Sequence, residues 1–127
     1  MRNASLSGPR IVAVVNDLFF VAKIRETAER AGAAVEFATS EQALWARSDD
    51  KPALVIVDLN LTAIQPLSLI AKIKSDPAWK QTSVLGFVSH VQSDLIQKAQ
   101  EAGCDRVVAR SAFARELPQI LRGQTKE

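Results

Sequence analysis

Two aspartates end runs of apolar residues that otherwise carry no polar group. Asp58 follows Leu54-Val55-Ile56-Val57, and Asp17 follows Ile11-Val12-Ala13-Val14-Val15 after one intervening asparagine, Asn16. A carboxylate placed directly after a buried strand stands where open parallel α/β sheets bind ligands, at the carboxyl ends of the strands. Two such acids on neighbouring strands repel each other, and a divalent cation relieves that cost. Mg²⁺ suits the set because it takes oxygen ligands and keeps waters beside a phosphate. A third apolar run ends at a hydroxyl, Ser89, and a fourth near a guanidinium, Arg110. Both are donors suited to phosphoryl oxygens. Acid, acid, hydroxyl and cation together suit phosphoryl transfer to Asp58, with a metal neutralising developing charge.

Such a constellation needs elements that bring the four ends to one edge. The chain alternates short apolar runs with amphipathic stretches. Strands are expected at Arg10 to Val15, Ala34 to Ala38, Ala53 to Val57, Ser83 to Val88 and Arg106 to Ala109. Helices are expected from about Phe19 to Ala31, Glu41 to about Arg47, Pro66 to Lys74, from a cap at Ser93 to Gly103, and Ala114 to Leu121. In the first helix Val21, Ile24, Ala28 and Ala31 recur at spacings of three and four, the mark of a helix buried on one side. Gly32 suits its stop, Ser40 an N-cap and Pro66 a first turn. Apolar strands without alternation are covered on both faces, so the sheet is parallel. The expected fold is α/β: a flavodoxin-like, doubly wound, five-stranded parallel sheet of order 2-1-3-4-5 in a three-layer αβα sandwich. In that order the first and third strands are neighbours, and Asp17 and Asp58 share an edge.

Length and composition agree with one domain. The chain has 127 residues, 47% of them hydrophobic, and a net charge of +2. We expect a lead-in at 1–8, a domain at 9–122 and a polar tail at 123–127. The charges are mixed in sign, without the basic stripe of a nucleic-acid binder. No apolar run reaches membrane-spanning length, and the first ten residues lack the apolar core of a signal peptide. Cys104 is the single cysteine, which fits a reducing cytoplasm and a small core residue. No Gly-rich nucleotide motif occurs. The apolar Leu18-Phe19-Phe20 stands where a flavin phosphate would want a Ser/Thr/Gly loop, which disfavours FMN. His90 beside Ser89 makes a poor nucleophile–base pair, since neighbours on a strand point to opposite faces.

From about Pro9 to Leu121 the sequence resembles the response-regulator receiver domain. Ile56-Val57-Asp58-Leu59-Asn60-Leu61 resembles the family's phosphoacceptor motif, and Val14-Val15-Asn16-Asp17 its acidic pair. Ser89 falls at its Ser/Thr position, and Gly103-Cys104-Asp105 at the lead-in to its lysine strand. The resemblance implies that Asp58 accepts phosphate from a histidine kinase or phosphotransfer protein. Asp17 and Asp58 would bind Mg²⁺, Asn60 would offer its backbone carbonyl, and Asn16 would help weakly. Ser89 would bond a phosphoryl oxygen, and Arg110 would take the lysine's part. It further implies a cytoplasmic protein that signals by docking to a downstream protein. It would be no enzyme beyond Mg-dependent self-phosphorylation and self-dephosphorylation. A homodimer through a helix face is compatible with the sequence, which does not specify one.

Four positions depart from the family pattern, as does the loop Thr62-Ala63-Ile64-Gln65-Pro66, which lacks the usual Pro-Gly and later Gly. Asn16 removes a negative charge from the metal pocket, Arg110 replaces lysine, Ser111 follows where proline is usual, and Val107 stands where an aromatic switch ring is common. These departures motivate an alternative, a pseudo-receiver that binds protein without phosphorylation. Each site residue also has a structural reading. Asp17 would cap the first helix, Asp58 would cap its loop, and Arg110 would pair with a surface acid or with Asp58 itself.

Overall fold

Five parallel strands form one sheet in the order β2-β1-β3-β4-β5. The computed structural model describes residues 10–46, 51–89 and 92–123. The strands are β1 (Arg10–Val14), β2 (Ala34–Phe37), β3 (Leu54–Asp58), β4 (Ser83–Val88) and β5 (Arg106–Ala109). The helices are α1 (Leu18–Ala31), α2 (Glu41–Trp45), α3 (Pro66–Ser75), α4 (Ser93–Glu101) and α5 (Arg110–Leu121). A 3-10 turn at Pro77–Trp79 joins α3 to β4. The expected order, sense and layering of the sheet are all present. The two edge strands, β2 and β5, have four residues each, whereas the inner strands have five or six.

Alternation along the inner strands divides the apolar residues between two cores. Val12, Val14, Val55, Val57, Val84 and Val88 pack against Leu44 of α2, Leu69, Ile70 and Ile73 of α3, and Ala99 of α4. Ile11, Ala13, Leu54, Ile56, Leu85 and Phe87 pack against Phe20, Ile24 and Ala28 of α1 and Phe113, Leu117 and Ile120 of α5. Neither face of the sheet is wet, which is why these strands show no polar alternation. Each of these Val, Leu, Ile and Phe side chains contributes roughly 1.5–3 kcal/mol through burial.

Local signals account for most boundaries. Asp17 caps α1 by accepting the Phe20 N–H, and Gly32 ends it in the left-handed region at φ 69°. Ser40 caps α2 by accepting the Ala43 N–H. Pro66 opens α3. Cys104 is buried, and Trp79 is buried with its ring edge-on to Trp45 at 5.3 Å, so both indoles serve packing.

Three expectations need correction. The last helix begins at Arg110, four residues before Ala114, and runs through Pro118. Ser93 is the first residue of α4 and not its cap; Gln92 holds that position without a side-chain cap bond. The second helix ends at Trp45, with Ala46 as its C-cap. Arg47, Asp49 and Asp50, the residues on which its end was expected, lie outside the described residues, as do His90, the N-terminal lead-in and most of the C-terminal tail.

Candidate functional site

Register brings the acids together. β1 lies beside β3 with Val14 opposite Val57, and β4 lies on the other side of β3 with Phe87 opposite Asp58. Asp58 is the last residue of β3 and Asp17 stands just beyond β1, so both reach the carboxyl edge of the sheet. Asp58 is only 8% exposed. Its Oδ1 accepts the backbone N–H of Asn60 at 2.9 Å. No described residue donates to its other oxygen, Oδ2.

Burial is the main influence on Asp58 and pushes its carboxyl above the usual carboxylate range. The Asn60 N–H and the positive charge of Arg110 act in the opposite direction, and the negative charge of Asp17 adds to the rise. Asp58 therefore senses both of its charged neighbours.

Arg110 is engaged by Asp17 and not by Asp58. Its guanidinium donates to Asp17 Oδ2 at 2.7 Å, while Asp17 Oδ1 accepts the Phe20 N–H at 3.2 Å. The guanidinium carbon also sits 4.7 Å from the centroid of the Phe20 ring, within cation–π range. Asp17 thus caps α1 and pairs with the first residue of α5 at once. The capping role expected of it is present.

Asn60 ties Asp58 to the next loop. Its side-chain oxygen accepts the Ser89 N–H at 2.7 Å, and its side-chain nitrogen donates to Gln92 at 3.1 Å. Ser89 is therefore linked to the acceptor through Asn60. Asn16 is exposed beside Asp17. Val107 is half-buried and packs on the α3–α4 side. Ser111 is exposed in the first turn of α5.

Two contributors lie outside the expected set, Phe20 and Gln92. Phe20 follows its cap Asp17 by three residues, and that spacing puts the ring in the turn whose amide the cap accepts. Gln92 had no comparable signal, because its link to Asn60 crosses between two loops.

The residues present fit a hard divalent cation. The Asp17 and Asp58 carboxylates and the Asn60 carbonyl are oxygen donors, the type such a cation takes. Asp58 Oδ2 is a buried oxygen without a donor among the described residues. Among the described residues no group of three or more His, Cys, Asp or Glu could hold a metal ion, and this pocket has two acids. Nor is any helix among them long and apolar enough to cross a membrane.

The model of the response regulator receiver domain matches residues 11–122. No curated protein matches the sequence. Solved structures do. The phosphorylated cyanobacterial phytochrome response regulator is 22% identical over 92% of this chain and 91% of its own, with a TM-score of 0.76. The chemotaxis response regulator of Vibrio cholerae is 17% identical over 94% of this chain and 100% of its own, at TM-score 0.79. The receiver domain of a sensor histidine kinase from Pseudomonas aeruginosa, with magnesium coordinated in its active-site cleft, is 15% identical over 92% and 99%, at TM-score 0.74. At these identities the structures speak to the fold alone.

Proposed function

Because the chain belongs to the response regulator receiver domain family, we propose that it accepts a phosphoryl group on Asp58 and signals by binding another protein. The donor is a histidine kinase or phosphotransfer protein. The observation that carries this reading is the buried Asp58 carboxylate, with one oxygen held by the Asn60 N–H and the other without a donor among the described residues.

The chain's own groups divide the work. The Asn60 N–H fixes Asp58 Oδ1, which leaves Oδ2 to form the new O–P bond. The N–P bond of the donor's phosphohistidine breaks as that bond forms, and the electron pair returns to the imidazole. Asp58 must be ionised to attack, and its burial makes it a more basic nucleophile than a surface aspartate. Arg110 is within reach of the pocket and supplies charge-assisted hydrogen bonds to the phosphoryl oxygens. Ser89 stands on the neighbouring strand end to add a further one. Asp17, Asp58 and the Asn60 carbonyl, with weak help from Asn16, would hold Mg²⁺, which when bound would neutralise negative charge on those oxygens.

Similar proteins support the reading: one solved neighbour is phosphorylated and another holds magnesium in its cleft. The protein's own chemistry is then limited to gain and loss of phosphate on Asp58, with no separate substrate turned over, and its site of action is the cytoplasm. The phosphorylation-independent alternative rests on the departures at Asn16, Val107, Arg110 and Ser111, none of which removes the acceptor.

Incubation with Mg²⁺ and acetyl phosphate, or with a cognate phosphorylated kinase, should add one phosphoryl group by intact-mass measurement. Asp58→Asn should add none. Absence of an acylphosphate with both donors overturns the reading, and partner binding that survives Asp58→Ala establishes the alternative.

A further inference from the structure

Both oxygens of Asp17 are engaged by the protein itself. One carboxylate oxygen caps α1 through the Phe20 N–H, and the other holds the Arg110 guanidinium at 2.7 Å. The guanidinium is held twice, because it also lies over the Phe20 ring at 4.7 Å. Phe20 is buried and fixed by Phe87 and Phe113, with ring centroids 5.2 and 5.7 Å away. The platform under the guanidinium is therefore rigid. With Asn16 neutral, the pocket contains two negative charges and one built-in positive charge.

We propose that Arg110 is the pocket's resident cation, bound to Asp17 in competition with the divalent ion. Metal entry then requires the guanidinium to leave Asp17. The inference rests on the metal-binding part of the functional reading above but not on phosphorylation.

The physical grounds are specific to arginine. A guanidinium is weakly hydrated, planar and able to stack on an aromatic face while it donates to a carboxylate. An ammonium is compact and strongly hydrated, so it would hold the same two partners less well. A divalent ion at Asp17 would stand close to this fixed positive charge, and the two repel in a half-buried site where screening is incomplete. Departure of Arg110 from Asp17 breaks no side-chain cap of α5. Arg110 is the first residue of α5, and the preceding Ala109 gives that helix no side-chain cap. Once displaced, the guanidinium remains within the pocket as a donor for the phosphoryl oxygens on Asp58.

Isothermal titration of the full chain with Mg²⁺ and no phosphodonor tests the exchange. Arg110→Ala should bind Mg²⁺ about tenfold more tightly than the unaltered chain, the effect of losing one competing ion pair and one repelling charge. Arg110→Lys keeps the charge but loses the stack, and it should bind about threefold more tightly. Arg30→Ala removes an equal charge from the exposed face of α1 and should leave the affinity unchanged. In the unaltered chain, the Arg110 Nε–H resonance should move along the same Mg²⁺ isotherm, which checks the exchange without any variant.

Arg110→Ala affinity within twofold of the unaltered chain, or weaker, overturns the proposal. So does an Arg110 resonance that stays still as Mg²⁺ saturates, or an Arg110→Ala protein that binds no Mg²⁺. If affinity rises as expected while acetyl phosphate leaves no acylphosphate, the exchange stands and the phosphoacceptor reading falls. If an acylphosphate forms on Asp58 while Arg110→Ala leaves Mg²⁺ affinity unchanged, the exchange falls and the phosphoacceptor reading stands.

Discussion

Asp58 costs the fold something at neutral pH. Its carboxyl is raised above the ordinary range chiefly by burial, so the folded protein holds a proton there more tightly than the unfolded chain does. The folded state then binds more protons in the window from the unfolded carboxyl pKa up to the higher folded value, and stability falls as pH rises through that window. Asp58→Asn removes the charge and keeps an oxygen for the Asn60 N–H. The variant should unfold at a higher urea concentration than the unaltered chain at pH 7. The gap should close as pH falls below the unfolded carboxyl range, where both chains are neutral at this position. A gap constant with pH would mean that the Asp58 charge is not what the substitution relieves. The acids were legible in the sequence because a carboxylate at the end of an all-apolar run has few structural uses. The partner of Arg110 was not. The sequence offered this guanidinium a surface acid or Asp58, whereas the structure pairs it with Asp17 and places it over the Phe20 ring.

Three helices carried chemical start signals that the structure uses, and the start of α5 carried none. Asp17, Ser40 and Pro66 mark their helices in the sequence, and each stands where the structure starts one. α5 begins after Ala109, which has no capping side chain, and its first turn carries the polar pair Arg110 and Ser111. No N-cap residue announces the start, and apolar spacing locates only the later turns. Pro118 misleads in the same way. It sits inside α5, where it has no N–H to give the Ala114 carbonyl four residues back. Interior proline costs a helix about 3 kcal/mol, partly offset by the unfolded-state freedom it removes, worth about 0.4–1 kcal/mol. Pro118→Ala should therefore raise stability by about 1–3 kcal/mol in urea unfolding, with the slope against urea unchanged. A loss of stability would show that the chain's packing depends on the ring of Pro118. Arg110 would still open the helix, so the acid pocket should keep its Mg²⁺ affinity in this variant.

The whole molecule has two cores separated by one sheet, and strand alternation is what divides them. That division was legible as uninterrupted apolar strands, though which residue faces which helix required the register. Leu117 packs with α1 and α5 on one side, and Leu69 packs with α2, α3 and α4 on the other. Truncation of either to alanine should cost about 2–5 kcal/mol. Both tryptophans, Trp45 and Trp79, belong to the Leu69 side. Indole fluorescence thus reports one core, and far-ultraviolet circular dichroism reports the whole chain. Since every inner strand contributes to both cores, the two signals should trace one urea transition in the unaltered chain and in Leu117→Ala. A fluorescence midpoint displaced from the dichroism midpoint would show that the cores melt apart. The sheet's outline has a further consequence, in colloidal terms. Its margins are its shortest strands, four residues each at β2 and β5, and the β2 margin carries Glu36, exposed and ion-paired with Arg10 of β1. Short, charged margins offer a second chain little backbone on which to template. Crowded solutions of this protein should resist strand-to-strand aggregation, and substitutions that extend β2 or neutralise Glu36 are the ones to watch for precipitation.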